Sequence, residues 1–294
     1  MTTISNLVDR TFRWADRRGR VDTLSANVLT GTAYDPVTLS VNDITLWGTP
    51  MEVEIGTEIF HVTTVDRGTS SATAIRGWRG TTPTSHTSGD IVHVAPRFFR
   101  IDAYEAIVDC LRKLTPPLYK FSTTNLNLTS GTTGYELPAD CVDVYRLYNK
   151  ANNATNRWLE LYSYTVMQGM DTSSFSTGAA LMVNDRFYPG SLRVEYKAAF
   201  TDPADETDDL EDDIGMLPFM FDIPVWYAVS VLVPPDEVLR SGVRSAAGQA
   251  RAEVVEPRSN VSVAEYFRNR YELALSEAVM RMDQLYPLRV RLIR

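Results

Sequence analysis

Hydrophobic positions near the start of the chain recur at helical spacing: Ile4, Leu7, Val8, Thr11 and Phe12 share one face. That spacing predicts a helix from Thr3 to Trp14, running into the charged cluster Asp16-Arg17-Arg18-Gly19-Arg20, with Gly19 as its stop. From Val37 the period drops to two. Val37, Leu39 and Val41 alternate with polar residues, then Ile44 and Leu46, then Met51, Val53 and Ile55. Gly56-Thr57 separates Met51 to Ile55 from Glu58 to Val65, which predicts a two-residue hairpin whose first central residue takes a positive φ. With strands at Ala72 to Arg76 and Asp90 to Val94, the region from Val37 to Ala95 reads as a small β-barrel or sandwich.

At Pro96 the period changes again. Ala103, Ile107, Cys110, Leu111 and Leu114 predict a helix from about Phe98 to Leu114, stopped by Pro116-Pro117. A second β-rich region follows from Phe121 to Tyr196, punctuated by Gly131-Thr132-Thr133-Gly134, Asn152-Asn153 and Pro189-Gly190. Its strands are expected at Cys141 to Tyr148, Trp158 to Tyr164, Ala180 to Val183 and Leu192 to Tyr196. Asp202 to Asp213 then carries eight acids in twelve residues and no base, which predicts a solvated, mobile connector. Beyond it the pattern is helical: an apolar piece from Pro218 to Val233, amphipathic pieces over Glu237 to Glu253, and a last helix. The last helix is expected to open on the capping box Ser262-Val263-Ala264-Glu265 and to bury Phe267, Tyr271, Ala274, Ala278, Met282 and Leu285.

The fold class that emerges is α+β. A helical core (N-terminal, central and C-terminal helices) carries an inserted small β-barrel or sandwich and a second β-rich region. The expected divisions are an N-terminal helix and arm at 1–30, the small β-domain at 31–97, a central helix with β-rich region at 98–200, the acidic connector at 201–213, and a helical region with a basic tail at 214–294.

Composition narrows the function. A net charge of -8 and a pI near 5.0 argue against a dedicated nucleic-acid binder, which needs a basic face to neutralise phosphates. The N-terminus lacks the basic and apolar regions of a secretory signal, and no apolar run reaches membrane-spanning length, so the chain is expected to stay in the cytoplasm where it is made. Cys110 and Cys141 are too few for a disulfide framework and read as small buried apolar residues.

Catalytic chemistry is hard to find. There is no nucleophile elbow, phosphate-binding loop, dinucleotide fingerprint, zinc-protease helix or paired C-x-x-C motif. His61, His86 and His93 all fall in the first β-region, but spacing alone does not converge them on a metal, and we assign no catalytic, cofactor or metal site. Gly77-Trp78-Arg79-Gly80 matches the G-x-x-G of an RNA-binding KH loop, yet that loop joins two helices and here both flanks are strands. The acidic run lacks the alternating ligands and central glycine of a calcium loop, and neighbouring carboxylates such as Asp212 and Asp213 have no apolar wall to separate their pKa values. Trp226, Tyr227, Phe267 and Tyr271 read as helical core. Trp47, Trp78 and Trp158 are the residues a carbohydrate-binding face would use, and core or interface packing explains them equally well.

One segment resembles a known family. Arg76-Gly77, Gly80-Thr81-Thr82, His86, Gly89-Asp90 and Val92 are similar to a β-element that recurs in neck and tail proteins of tailed bacteriophages. The helix ending in Pro116-Pro117-Leu118-Tyr119, followed by Tyr135-Glu136-Leu137-Pro138-Ala139-Asp140 and Val142, resembles head-to-tail adaptors of long-tailed double-stranded DNA phages. The resemblance implies a structural, non-enzymatic subunit of the virion neck. It further implies a homo-oligomeric ring, twelve-fold in the family, that docks beneath the portal protein, meets a tail or tail-completion protein, and lets genomic double-stranded DNA pass without sequence-specific contact or any membrane. On that reading Asp205, Glu206, Asp208, Asp209, Glu211, Asp212 and Asp213 are candidates for a channel or intersubunit surface. Arg289, Arg291 and Arg294 form a candidate portal-docking tail. The alternatives are a tail-side or baseplate protein, a cell-wall-directed hydrolase, or a carbohydrate-binding module.

Overall fold

The period-two alternation after residue 19 builds one six-stranded antiparallel sheet. In chain order its strands are β1 (Arg20–Thr23), β2 (Pro36–Ser40), β3 (Met51–Ile55), β4 (Glu58–Asp66), β5 (Ser71–Ile75) and β6 (Ile91–Val94), arranged β1-β6-β3-β4-β5-β2. This is a computed structural model, and it describes residues 2–15, 19–129, 132–151, 157–183, 190–233 and 258–287. The two edge strands meet just beyond their ends. Leu24 bridges Val41, the Ser25 N–H donates to Ser40 O at 2.9 Å, and the Asn42 N–H donates to Thr23 O at 3.1 Å. The sheet therefore curls into a half-barrel whose edges approach beyond the strand ends, where a small β-barrel or sandwich was expected. Leu39, Val53, Phe60, Val62, Ala74, Val92 and Val94 fill the interior. The β3–β4 hairpin turns at Gly56, whose φ of +62 suits a residue without a Cβ.

Four helices occur among the described residues: α1 (Ile4–Trp14), α2 (Arg100–Leu114), α3 (Asp222–Leu232) and α4 (Arg258–Leu285). The chain divides into two compact units. One holds Ile4–Ile107 with Asp222–Glu272, and the other holds Met1–Thr3, Val108–Phe221 and Leu273–Arg294.

The first unit contains the barrel, α1 and α3. Helix α1 buries Ile4, Leu7 and Val8 and lies against α3, where Trp14 and Trp226 meet at 5.3 Å and Arg10 pairs with Asp222. Trp226 also stacks on Phe267 at 6.1 Å, and Tyr227 meets Tyr271 edge-on at 5.4 Å. This aromatic set is helical packing.

The second unit is built on two sheets that share one core. A four-stranded sheet runs β10-β9-β13-β7 and a three-stranded sheet runs β11-β12-β8. The strands are β7 (Lys120–Leu128), β8 (Gly134–Glu136), β9 (Cys141–Ala151), β10 (Leu159–Leu161), β11 (Tyr164–Gln168), β12 (Ala179–Val183) and β13 (Gly190–Ala198). Leu128, Leu137, Val144, Leu147, Leu181, Leu192 and Val194 lie between them.

Two local expectations need correction. Helix α4 begins at Arg258, so Ser262-Val263-Ala264-Glu265 lies inside the helix and does not cap it. Leu285 is 58% exposed and leaves the buried stripe, whereas Phe267, Ala278 and Met282 keep to it. The expected pieces over Glu237 to Glu253 lie outside the described residues. Among the described residues no helix is long and apolar enough to cross a membrane.

Candidate functional site

The segment that carries the phage resemblance is organised around a buried carboxylate that sequence reasoning passed over. Glu58, the first residue of β4, is fully buried, as are Arg76 and His86 to within a few per cent. Arg76 Nε donates to Glu58 Oε1 at 3.0 Å and Nη2 donates to Oε2 at 2.9 Å, a two-pronged pair. The Gly77 N–H adds a bond to Oε1 at 3.1 Å and the Thr84 N–H one to Oε2 at 2.9 Å. His86 Nε2 lies 2.9 Å from Oε2, and because a carboxylate only accepts, that nitrogen carries the proton. Five donors thus converge on one side chain. Burial alone would raise its pKa, but the hydrogen bonds from His86, Arg76 and the Thr84 N–H, with the charge of Arg76, outweigh burial and pull it down to about 2.

Two more Arg76 donors go to backbone. Nη1 reaches Leu29 O and Nη2 reaches Thr84 O, each at 2.6 Å. The node therefore pins two loops, 25–35 and 77–90, to the barrel end. Backbone bonds complete the clamp: Tyr34 N–H to Arg76 O at 2.9 Å, and a reciprocal Val28–His86 pair at 2.8 Å in both directions. Gly77 sits at φ +61, and a Cβ there would lie 3.0 Å from the Ala33 Cβ and 3.1 Å from Thr81 O, so a larger residue would meet both strain and a clash. Thr81 closes the turn, accepting from the Ile59 N–H at 3.0 Å and donating to Trp78 O at 2.9 Å. Asp90 accepts from the Thr87 N–H at 2.8 Å and the Thr87 hydroxyl at 2.9 Å.

Above this node, Trp78 stacks on His61 at 4.5 Å and donates through Nε1 to Glu52 at 2.9 Å. Arg79, at φ +54, pairs with Glu52 at 2.7 Å and lies over the Phe99 ring at 4.7 Å. The three histidines take separate roles: His61 on Trp78, His86 on Glu58, and His93 paired across strands with Val21 and Glu54. Among the described residues no group of three or more His, Cys, Asp or Glu is placed to hold a metal ion. The tryptophans also separate. Trp47 is buried and donates to Asp22 at 2.8 Å, Trp78 is half-buried, and Trp158 is 38% exposed beneath Lys150.

The acidic segment, expected as a solvated, mobile connector, is built from local turns. Its carboxylates serve as turn acceptors: Asp205 takes the Thr207 N–H at 2.7 Å, Asp208 the Ala204 N–H at 2.6 Å, Asp209 the Glu211 N–H at 2.8 Å, and Asp213 the Asp209 N–H at 2.8 Å. Leu210 and Ile214 are fully buried, and the Leu210 N–H donates to Thr2 O at 2.9 Å. Hydrogen bonds from the Thr207 hydroxyl and N–H hold Asp205 below the ordinary carboxylate range, and those from the Asp212 and Glu211 N–H groups do the same for Asp209. Asp205, Glu211, Asp212 and Asp213 remain exposed, while Glu206, Asp208 and Asp209 are half-buried. The structure thus gathers the seven candidate acids into one ordered, negatively charged loop.

Arg289, Arg291 and Arg294 lie outside the described residues, but the point from which they depart is fixed. Tyr286 packs on Phe121 with ring centroids 3.6 Å apart, and the Tyr145 hydroxyl donates to Pro287 O at 3.2 Å.

Five donors saturate the Glu58 carboxylate beneath the surface loops. A general acid or base needs a pKa near the working pH and room for a substrate atom, and Glu58 has neither. The family model described as SU10 adaptor protein matches residues 72–291, about three quarters of the chain. The chain belongs to that family and is a phage adaptor-type structural protein, which interacts with other components of the virion. No curated protein matches it. The match takes in Arg76, His86, α2, both sheets of the second unit and the acidic loop, and leaves β1 to β4, with Glu58, on its N-terminal side.

Proposed function

We propose that this protein is a head-to-tail adaptor of the virion neck, forming a ring between portal and tail through which genomic double-stranded DNA passes. The adaptor family match over residues 72–291 is the observation that carries this reading. The ordered acidic loop supports it. A ring of chains, each with a net charge of -8, carries a strongly negative field, and acids turned to the lumen would keep phosphates sliding. We assign Asp205, Glu206, Asp208, Asp209, Glu211, Asp212 and Asp213 to the channel or to the boundary with a neighbouring copy. Arg289, Arg291 and Arg294 dock the ring on an acidic surface of the portal.

Two variants test these assignments in assembled particles. A chain truncated after Tyr286 should leave filled heads without an attached adaptor, and attachment at the wild-type level would refute the docking role. Replacing the exposed Asp205, Asp212 and Asp213 with Asn should slow DNA delivery or impair ring assembly, more so at low salt, where screening is weakest. Unchanged assembly and delivery at every salt concentration would remove the acids from the channel and the interface.

A further inference from the structure

Among the described residues the four-stranded sheet of the second unit ends in an edge strand on each flank. Strand β7 forms one of them. It is nine residues long, pairs with β13 without a bulge from Lys120 to Leu128, and has no neighbour on its outer side among the described residues. Edge strands are ordinarily blunted by charge, proline, a bulge or shortness. After Lys120, β7 has none of these: Phe121 to Leu128 reads Phe-Ser-Thr-Thr-Asn-Leu-Asn-Leu. Its outward side chains Thr123, Asn125 and Asn127 are exposed, while Leu126 is only half-buried at the margin of the core.

The opposite edge among the described residues is β10, and its character is different. Trp158 is 38% exposed, Leu159 51% and Tyr162 59%, so that apolar side chains lie at the surface along this flank. By contrast, the edge of β9 beyond the short β10 is already capped by side chains: Gln168 Nε2 donates to Val142 O at 2.9 Å and the Tyr164 hydroxyl to Val144 O at 3.2 Å. An uncharged strand edge on one flank and an apolar edge on the other are different surfaces of one sheet. Joining them repeats head to tail, and such a contact closes into a ring when the rotation allows.

We propose that a second copy of this chain occupies the β7 edge, presenting its own β10 flank, with Trp158 and Leu159, so that the four-stranded sheets run on from subunit to subunit. Main-chain pairing between β7 and the three residues of β10 sets the register, and the apolar side chains beside β10 cover the half-buried Leu126 margin. This rests on the ring reading above and names the surfaces that would build it.

The test is cross-linking in assembled phage particles with a cysteine in place of Asn125 and another in place of Glu160, bridged by a short bis-maleimide. The native thiols stay silent, because Cys110 and Cys141 are buried, and burial pushes the Cys141 thiol up to about 12. A ladder of multimers is expected from the double variant and dimers at most from either single variant. Two blocked chains sharpen the result: Thr123→Lys with Asn125→Lys on β7, and Trp158→Glu with Leu159→Glu on β10. Each alone should be lost from particles as a ring, and a mixture of the two purified chains should yield dimers and nothing larger, since each keeps one working edge. All four positions are exposed or half-exposed, and circular dichroism at the wild-type level would show that the fold survives. Intact rings without β7–β10 cross-links, or with both blocked chains incorporated, would overturn this inference and leave the ring standing. Particles holding a single copy of the chain would overturn the ring itself.

Discussion

Replacing Arg76 with Met is expected to destabilise the barrel by about 3–5 kcal/mol, because it strands a buried carboxylate. Met keeps the bulk of the side chain, so the loss comes from charge and hydrogen bonds more than from a cavity. Glu58 would lose its two-pronged partner, and the carbonyls of Leu29 and Thr84 would lose their donors. The effect should show as a lower urea midpoint and as faster amide exchange across β4 and β5, whose strands carry Glu58 and end beside Arg76. Removing both charges with Glu58→Leu and Arg76→Met should not restore the wild-type value. In a simple ion pair such a swap is often neutral, but here the carboxylate also satisfies the N–H groups of Gly77 and Thr84. A change in the single variant within about 0.5 kcal/mol, the range of ordinary surface substitutions, would show that the node does not hold the loops.

Acid should unfold the same element by a calculable route. The Glu58 carboxyl is lowered from 4.5 to about 2 in the folded chain. A depressed folded pKa contributes stability that is fully present above the unfolded value of 4.5 and is lost as pH falls from there towards about 2. At 1.36 kcal/mol per unit the contribution is about 3 kcal/mol. Denaturant midpoints measured from neutral pH down to about pH 2 should therefore fall steeply below about pH 4.5 in the wild type. Glu58→Gln should be weaker at neutral pH and show a shallower fall. Parallel pH profiles for the two chains would mean that Glu58 is not the titrating group that couples acid to barrel stability.

Much of the fold was legible because its patterns are local. The N-terminal helix, the central helix ending at Leu114 and the Gly56-Thr57 hairpin lie where apolar spacing and turn chemistry put them. Strand β1 was hidden because its alternation is inverted. Val21 faces outward at 58% exposure, while Asp22 points inward to accept from Trp47 Nε1 at 2.8 Å and the Asp43 N–H at 3.1 Å. A buried acid serving a tryptophan reads, in sequence, like a charged loop. Strand β7 carries threonines and asparagines in place of β-branched apolar residues, so only its pairing with β13 reveals its length. The acidic segment was legible as a solvated stretch because charge dominates it, whereas its aspartates' use as turn acceptors and the burial of Leu210 depend on local geometry that composition does not carry.

The centre of the site was half legible. Arg76, Gly77, Thr81, His86 and Asp90 belong to the segment whose family resemblance stands out, and the structure brings them around one end of the barrel. Glu58 was missed because its partners lie 18 and 28 residues away. The signal that could have found it is a lone carboxylate at an inward position directly after a hairpin turn, which burial tolerates only with a cation beside it.

The most direct test of the neck assignment is electron microscopy of a lysate from phage carrying a stop codon early in this gene. DNA-filled or leaking heads beside separate, complete tails are expected. Normal tailed particles, or heads with no assembled tails anywhere in the lysate, would contradict that assignment and move the protein away from the joint between head and tail.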